Sequence, residues 1–413
     1  MAVDLEGMLM RLQSNKGEEV TAQCWEAVVI GAGPAGAMVA REMARRDIKV
    51  LLVDKQSFPR RKVCGACFSA QALRTLESVG LGQLMPQLGS IPLNTLRLAI
   101  RGNSLSVPLR ERMALSREAF DMAMIEAAID AGVSFLSGTK AALGHCEERH
   151  REILLHHEGR HTAIRTSLVL VASGLDVVHN GGREDVKIVI KKRSFFGAGV
   201  VKDVSPMFYK PGTLYMACGR GGYVGVVRLE NGRLNVAAAL DPRHIKGTNS
   251  IGKTAQNILA EAEFQALADM RSLSWCATPK LTRRTMPIAL HRLFFLGDAA
   301  GYGEPFTGEG IGHALWQGKI LADLASRASR RWNLSYAYEW NRLYSHAMSR
   351  RQRLVRLISH VFHHPSIAGL LIKYASFIPS VIVPMYDRSV SRDVTNAPLQ
   401  RTSKQISTPE TGL

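Results

Sequence analysis

The chain has 413 residues, of which 46% are hydrophobic and 21% are charged, so it is long enough to bury one large core or two. Its formal net charge of +18 indicates anionic surroundings, such as phosphate, an acidic carrier or a membrane surface. The sequence has no zinc-finger spacing, no basic region with heptads and no RNA-binding aromatic motif, so nucleic acid is not an expected partner.

The N-terminal 24 residues carry acids and no apolar segment, so we expect a flexible leader rather than a secretory signal. Six cysteines are too few for a disulfide framework, which indicates a reducing compartment. No uncharged apolar run reaches about 18 residues, the length that a membrane-spanning helix needs. These features predict a cytoplasmic protein and leave peripheral contact with a membrane open.

The folded part of the chain begins with a predicted βαβ unit, with a strand at 26–31, a helix at 34–46 and a strand at 48–54. A basic loop, a helix, two paired strands, a helix, further strands, an antiparallel sheet and a helix follow. In chain order these lie at 55–70, 69–79, 96–100 with 105–109, 116–131, 133–171, 187–240 and 250–269.

A glycine-rich turn, G-x-G-x-x-G, joins the first strand to the first helix. Gly31 permits a tight turn, Gly33 lets a phosphate approach the backbone, and Gly36 lets the helix pack closely on the strand. The start of the helix then offers free N–H groups to a pyrophosphate. Asp54, at the end of the second strand, is placed to hold adenosine ribose hydroxyls. The predicted dinucleotide site also includes Pro34, Ala35 and Lys55.

A second strand-to-helix junction decides which dinucleotide is expected. A predicted strand at 293–298 ends in Gly297-Asp298, and a helix opens from about 309. FAD needs such a distant second element, because its flavin ring must be held far from the first turn, whereas a plain NAD-dependent dehydrogenase does not. The helix would direct its dipole at the pyrimidine edge of the flavin. The residues predicted here are Gly297, Asp298, Pro305, Gly308, Gly310 and Ile311.

Three motifs, DKQSFPRRKVCG (54–65), SREAFD (116–121) and GDAAG…P…GEGI (297–311), resemble those of a large class of FAD-dependent enzymes. This class holds geranylgeranyl reductases, aromatic-ring hydroxylases and flavin-dependent halogenases, and the geranylgeranyl reductase branch is the most similar. The resemblance covers roughly residues 25–330. It implies that Arg60 and Arg117 touch the FAD phosphates or nearby backbone; solvated surface charge is the alternative for both.

Cys64 and Cys67 in KVCGACF allow several interpretations. They could form a dithiol that exchanges electrons with flavin, or pack as two small core residues. Half a zinc site is not expected, since no second CxxC or CxxH appears. The resemblance to geranylgeranyl reductases, which have a comparable Cys-Gly near the flavin, implies that Cys64 lines the active site as the catalytic candidate.

The chain departs from its relatives after the third apolar strand, where ring hydroxylases have Asp-Gly and this chain has Ser173-Gly174. That difference leaves the electron donor open between NAD(P)H and ferredoxin. The Trp-x-Trp-x-Ile-Pro motif of halogenases is absent, so halogenation is not expected. The histidine-rich segment 145–161 lacks ligand periodicity, which favours solvated surface over a metal site.

Two further segments have alternative interpretations. Residues 221–240 predict a hairpin that turns at Asn231-Gly232, in which Tyr223 is interpreted as sheet packing in preference to a substrate contact. The arginine-rich helices after residue 327 are either an interfacial surface, or tunnel wall, or a helix pair packed on the FAD domain with a basic face in solvent.

The sequence therefore predicts an α/β fold with a Rossmann-like, glutathione reductase-type FAD-binding domain, an interleaved and mainly antiparallel substrate lobe, and a helical C-terminal cap. The predicted segments are a leader (1–24), the first FAD part (25–178, with a substrate-lobe insertion near 85–104), the substrate lobe (179–275), the second FAD part (276–328), the cap (329–390) and a disordered tail (391–413).

The leading functional hypothesis is a reductase that acts on a double bond of a hydrophobic, prenyl or polyketide-like small molecule by hydride transfer from reduced flavin. One alternative is a monooxygenase that hydroxylates a hydrophobic or aromatic substrate. Another is a membrane-associated flavoprotein that passes electrons to a quinone, although the chain has no cysteine set for an iron–sulfur cluster.

Overall fold

The structure, a computed structural model, describes residues 24–176, 186–191, 194–203, 207–248, 250–303, 306 and 308–362. Its helices are α1 (Pro34–Ala44), α2 (Ala70–Glu77), α3 (Leu84–Gln87), α4 (Arg117–Ile129), α5 (Pro242–Thr248), α6 (Ile251–Glu261), α7 (Gly310–Arg330) and α8 (Ser335–Phe362), with a 3₁₀ turn at Gly297–Ala299.

The strands divide between two large sheets and two small ones. They are β1 (Trp25–Ile30), β2 (Val50–Val53), β3 (Cys67–Phe68), β4 (Ile91–Pro92), β5 (Thr95–Ile100), β6 (Asn103–Pro108), β7 (Met113–Ala114), β8 (Ser134–Leu136), β9 (Lys140–Cys146), β10 (Arg151–His157), β11 (Arg160–Val171), β12 (Lys187–Ile190), β13 (Phe196–Lys202), β14 (Thr213–Gly219), β15 (Gly222–Arg228), β16 (Leu234–Leu240), β17 (Cys276–Lys280), β18 (Arg283–Met286), β19 (Ala289–Leu290), β20 (Leu293–Phe295) and β21 (Gly301–Tyr302).

The first large sheet has the strand order β19-β20-β11-β1-β2-β8, and β20, β11, β1, β2 and β8 run parallel. Strands such as β2 are buried along their whole length, because helices and further chain cover both faces of a parallel sheet. The βαβ unit predicted at 26–54 is confirmed as β1, α1 and β2. The order and the βαβ crossover define a Rossmann-like domain.

The second large sheet has the order β17-β13-β16-β15-β14-β5-β6 and is antiparallel except where β5 pairs with β14. The predicted hairpin is confirmed, since β15 and β16 pair with Tyr223 opposite Ala239 and Val226 opposite Val236. Helix α6 covers one face of this sheet through a buried core that includes Ile258. The opposite face is turned towards the first domain. The predicted α/β fold with an interleaved, mainly antiparallel lobe is thus confirmed.

The second sheet extends past two of the predicted segment boundaries. Strand β6 ends at Pro108, beyond the insertion predicted near 85–104, and β17 lies at 276–280, inside the predicted second FAD segment. The helix predicted at 250–269 is also too long. It ends at Glu261, because Glu263 takes a φ of 56° and turns the chain out of the helix.

Helices α7 and α8 follow the second junction and pack on the first domain. The indole of Trp340 is fully buried and its Nε1 donates to the carbonyl of Phe295, 2.9 Å away. This contact supports the packed-helix interpretation for the start of the C-terminal segment. No helix within the described ranges is both long and apolar enough to cross a membrane. The leader predicted at 1–24, apart from Cys24, the rest of the cap (363–390) and the tail predicted at 391–413 lie outside the described residues.

Candidate functional site

One cavity of about 690 Å³ is enclosed by the β1–α1 turn, the loop after β2, the start of α7 and the open face of the second sheet. Most of the predicted site residues line it: Gly31, Gly33, Pro34, Ala35, Asp54, Lys55, Arg60, Cys64, Arg117, Gly297, Asp298, Gly308, Gly310 and Ile311. Gly36 does not line it, and Pro305 lies outside the described residues. The two junctions that the sequence places about 265 residues apart therefore meet at a single cavity.

The glycine turn has the geometry of an anion site. Gly31 takes a φ of 107°, and a Cβ on Gly36 would lie 1.8 Å from the carbonyl oxygen of Gly31. By contrast, a Cβ on Gly33 would meet only Nη2 of Arg60 at 3.7 Å and Nη2 of Arg117 at 4.0 Å. Gly33 is the N-cap of α1 and has no side-chain acceptor for the first N–H groups. The space at Gly33 thus faces a helix N-terminus and two guanidinium groups, which fits a pyrophosphate.

The two arginines are held in place by carboxylates. Nε and Nη2 of Arg117 donate to Oδ1 and Oδ2 of Asp121, each at 2.8 Å. Nη2 of Arg60 lies 3.5 Å from Oδ2 of both Asp54 and Asp121. Burial by itself lowers the pKa of Arg117, but the Asp121 carboxylate outweighs it and raises that pKa above its usual value. With side chains only 9% and 12% exposed, Arg60 and Arg117 are fixed cations and not solvated surface charges.

Asp54 lies at the rim of the same cavity, at the end of β2. Its Oδ2 accepts from the backbone N–H of Ala32 at 2.8 Å, and its Oδ1 accepts from that of Gln56 at 2.9 Å. These bonds orient the carboxylate across the glycine turn. Lys55 is half-exposed and forms an ion pair of 3.0 Å with Asp176. A carboxylate in this position suits the ribose role that the sequence predicts for Asp54, which stays a prediction.

The far end of the cavity is formed by the start of α7, whereas the 3₁₀ turn at Gly297–Ala299 lines the cavity beside Ala35. Gly297 takes a φ of 62°, and its N–H donates to Oε1 of Gln317 at 2.8 Å. A Cβ on Gly310 would meet nothing within 4 Å, so the first turn of α7 opens directly into the cavity. This helix N-terminus favours negative charge at that end of the cavity.

Arg112 also lies at this end of the cavity and was not predicted as a site residue from the sequence. The residue is 7% exposed, lines the cavity, and places Nη1 3.9 Å from the position that a Cβ on Gly308 would occupy. Burial raises the pKa of the nearby Cys67 thiol, and the charge of Arg112 offsets a small part of that rise. In the run LRER the residue resembles a surface charge, but the adjoining strand β7 is paired with both β3 and β4, and Arg112 is buried there.

Lys62 is a second cation in the cavity that was not among the predicted site residues. Its side chain lines the open cavity and is exposed to solvent there. Partial desolvation by the cavity walls, followed by repulsion from Arg60, lowers the pKa of the Lys62 ammonium. A lowered pKa makes the ammonium a stronger acid, so Lys62 is a candidate proton donor within the cavity.

The two cysteines of KVCGACF differ in environment. Cys64 is half-buried and lines the cavity, and its carbonyl oxygen accepts from Nδ2 of Asn235 at 2.9 Å. Cys67 is buried, its Sγ donates to the carbonyl of Gly65 at 3.1 Å, and burial with the neighbouring Cys64 raises its pKa to about 12. Both are free thiols. The dithiol interpretation requires a lowered thiolate pKa, so Cys67 does not support it.

A metal site is not supported either. Among the described residues, no group of three or more His, Cys, Asp or Glu side chains is placed to hold a metal ion. The histidine-rich segment 145–161 forms β10 and its neighbours, where His156 and His161 stack with ring centroids 4.4 Å apart on an exposed hairpin.

We expect the raised pKa to protect Cys67 from alkylation. At pH 8 and a pKa of about 12, roughly one Cys67 in ten thousand is a thiolate, so iodoacetamide should leave it unmodified in the folded protein. Peptide mass spectrometry should show modification of Cys24 and Cys276, which are exposed. Urea-unfolded protein, in which every cysteine should react, is the control. Alkylation of Cys67 at the rate of Cys276 in folded protein would contradict the assignment.

A further part of the cavity wall comes from the open face of the second sheet, which contributes only uncharged residues, most of them apolar. Tyr223 lies there and is both a packing and a wall residue, since its ring contacts Phe195 and Phe306 at centroid distances of 6.3 and 5.1 Å. Other apolar wall residues are Leu96, Leu98, Leu214, Met216 and Leu281. Ala237 and Gly225 are paired across β16 and β15 and both line the cavity, so these small residues leave depth in it.

The cavity combines a glycine turn and two fixed arginines with a second helix N-terminus. Its apolar part, against the second sheet, is called the chamber below. This combination defines an FAD-dependent oxidoreductase. The model of the FAD binding domain family matches residues 25–343, so the chain belongs to that family. FAD is the cofactor, as the two junctions predicted.

Comparisons with individual proteins agree with this family assignment. Menaquinone reductase of Mycobacterium tuberculosis is 25% identical over 333 residues, which cover 72% of this chain and 76% of that one. Digeranylgeranylglycerophospholipid reductase 1 of Methanococcoides burtonii is 26% identical over 321 residues, 74% of this chain and 75% of that one. A geranylgeranyl bacteriochlorophyll reductase-like protein of Thermoplasma acidophilum has the same fold, with a TM-score of 0.73 at 16% identity over 91% of this chain and 98% of its own. The resemblance to geranylgeranyl reductases is confirmed.

Proposed function

We propose that the protein reduces a carbon–carbon double bond of a hydrophobic, prenyl or polyketide-like small molecule. The observation that carries the proposal is the wall that the second sheet contributes to the cavity. Within the described chain, every cavity-lining residue of that sheet is uncharged, including Leu98, Met216 and Tyr223. Such a wall selects an apolar substrate and excludes water from the reacting carbons. The two relatives compared above are both named as reductases, which supports reduction.

The residues at the two ends of the cavity have different proposed roles. When bound, FAD supplies the hydride for the double bond. Arg60, Arg117 and the first turn of α1 hold the phosphates by charge and backbone N–H groups. Arg112 and the first turn of α7 stabilise negative charge at the opposite end. For the proton that the second carbon receives, we propose Lys62, or the Cys64 that the family resemblance implies, because both line the cavity.

Electrons must reach the flavin from outside, and we propose NAD(P)H or ferredoxin as the donor. In this chain the loop after β11 carries Ser173 and Gly174, and Ser173 Oγ donates to the carbonyl of Asp176 at 2.9 Å. The loop is thus closed on itself, and the Asp-Gly associated with NADPH placement in ring hydroxylases is absent. Reduction rates with NADPH, NADH and reduced ferredoxin, measured by stopped-flow, would separate the donors.

The reaction is tested by single turnover without oxygen. FAD-loaded protein is reduced with dithionite, freed of excess reductant and mixed anaerobically with a menaquinone or a geranylgeranyl lipid. We expect the oxidised flavin spectrum to return and the product to gain two hydrogens. A hydroxylated product that forms only with oxygen would support the monooxygenase instead. Return of the spectrum with the menaquinone reduced only at its ring would support the quinone-directed alternative.

A substitution in the apolar cavity wall tests whether the substrate binds there. Ala237→Phe fills the space that Ala237 and Gly225 leave, so it should prevent single-turnover oxidation by the lipid while FAD content stays at the wild-type level. Ala163→Phe makes the same change at an exposed strand position and should leave both unchanged. Wild-type turnover in Ala237→Phe would show that the substrate does not use this chamber.

A further inference from the structure

The small sheet β12-β18-β21 carries an unusual surface. Val189 and Ile190 on β12 and Met286 on β18 are 56%, 46% and 52% exposed. Only a few other large hydrophobic side chains in the described residues are comparably exposed, and they lie elsewhere. Scattered exposed apolar residues are ordinary, but a cluster on adjacent strands marks an interaction surface.

Basic side chains surround Val189 and Met286 on one face of this sheet, whereas Ile190 lies on the other face. Register places Lys187 opposite Met286 and Val189 opposite Arg284, so these four side chains share one side of the sheet. Lys187, Arg284 and also Lys191, one residue past β12, are exposed. The face therefore alternates apolar and cationic groups, with no carboxylate among the described residues of β12 and β18.

The charge of each possible binding partner decides which one fits this face. A second copy that docks through the same face would bring the same cations and no acid to the lysines. The apolar segment 367–386 also has no acid and adds the charge of Lys373. An anionic lipid surface meets both features, because headgroups pair with the cations while the apolar side chains enter the boundary with the acyl chains. The face we call the β12 patch comprises Lys187, Val189, Lys191, Arg284 and Met286.

We propose that the β12 patch docks the protein on an anionic membrane, from which the apolar chamber is filled. The patch is close to the chamber in the fold, since the N–H of Lys191 donates to the carbonyl of Thr282 at 3.0 Å and the next residue back, Leu281, lines the cavity. Docking there would shorten the path of a hydrophobic substrate from bilayer to cavity. The delivery step rests on the proposed function, whereas membrane binding does not.

The test is co-sedimentation of full-length, FAD-loaded protein with vesicles. We expect binding to vesicles of phosphatidylglycerol and phosphatidylcholine, weak binding to phosphatidylcholine alone, and loss of binding in high salt. Val189→Asp with Met286→Asp should reduce the bound fraction roughly tenfold, as should Lys187→Glu with Lys191→Glu. Met207→Asp is the matched control, because Met207 is 93% exposed but lies between β13 and β14.

The outcomes separate the alternatives. FAD content and single turnover with detergent-solubilised substrate should stay at wild-type levels in all variants, which shows that the chamber is intact. Absent vesicle binding would overturn the proposal. Equal binding by the patch variants and wild type would also overturn it and point to another surface, such as the arginine-rich C-terminal segment. A concentration-dependent dimer that Val189→Asp abolishes, without vesicle binding, would make the patch a subunit interface instead.

Discussion

Arg112→Met is expected to lower the midpoint potential of the bound FAD by roughly 30–60 mV. Arg112 is buried and faces the same end of the cavity as the first turn of α7, so removing it takes a fixed positive charge from the place where reduction adds negative charge. A charged hydrogen-bonding group contributes about 1.5–3 kcal/mol. For a two-electron couple about 1.4 kcal/mol corresponds to about 30 mV.

The potential is measured by equilibration with a reference dye during slow enzymatic reduction. Sulfite affinity gives a second readout, because sulfite adds to flavin as an anion and should bind more weakly to Arg112→Met. Arg110→Met is the control, since Arg110 is exposed two residues away and should shift neither quantity. An unchanged potential in Arg112→Met, with full FAD content, would show that Arg112 has no part in the proposed mechanism. The N-terminus of α7 would then be the group that stabilises the negative charge.

Gly33→Ala is expected to weaken FAD binding at least tenfold, about 1.4 kcal/mol, without unfolding the protein. The φ of −77° at Gly33 is open to alanine, and its Cβ would have no protein atom closer than 3.7 Å. The methyl group would instead occupy the space between α1 and the two guanidinium groups, where the phosphates bind. FAD fluorescence titration of the apoprotein measures the affinity, and thermal unfolding of the apoprotein measures the stability.

Two other glycines make the comparison specific. Gly36→Ala places a Cβ 1.8 Å from the carbonyl oxygen of Gly31, so it should lower the apoprotein melting temperature as well as FAD affinity. Gly82→Ala, whose Cβ would make ordinary contacts of 3.4 Å with Glu77, should change neither. Wild-type FAD affinity in Gly33→Ala would place the phosphates elsewhere and contradict the site.

The two cofactor junctions were predictable because each is a local pattern. A buried strand, glycines at set spacing and a helix start lie within about a dozen residues, and the backbone conformation follows from them. The i,i+4 pair of Arg117 and Asp121 is local as well and fixes one arginine from a single turn of α4. Such features depend little on the rest of the chain.

The chamber could not be predicted in the same way, because distant segments build it. Strand β5 pairs in parallel with β14, about 118 residues later, and no periodicity in either strand encodes that partner. Arg112 becomes buried where β7 pairs with both β3 and β4. The apolar pair of Val189 and Met286 forms only once β12 and β18 are adjacent, since each strand alone has an ordinary mixed pattern.

Ala35, at the start of α1, packs against elements of the second cofactor junction. A Cβ on Gly297 would lie 3.0 Å from the Cβ of Ala35, and one on Gly318 would lie 2.7 Å from its carbonyl oxygen. The 3₁₀ turn and the middle of α7 thus pack directly against the start of α1, and there is no room between them for a larger side chain. We therefore expect any opening that admits a bulky lipid to come from the Cys64 loop and the second sheet, which the Asn235 hydrogen bond joins.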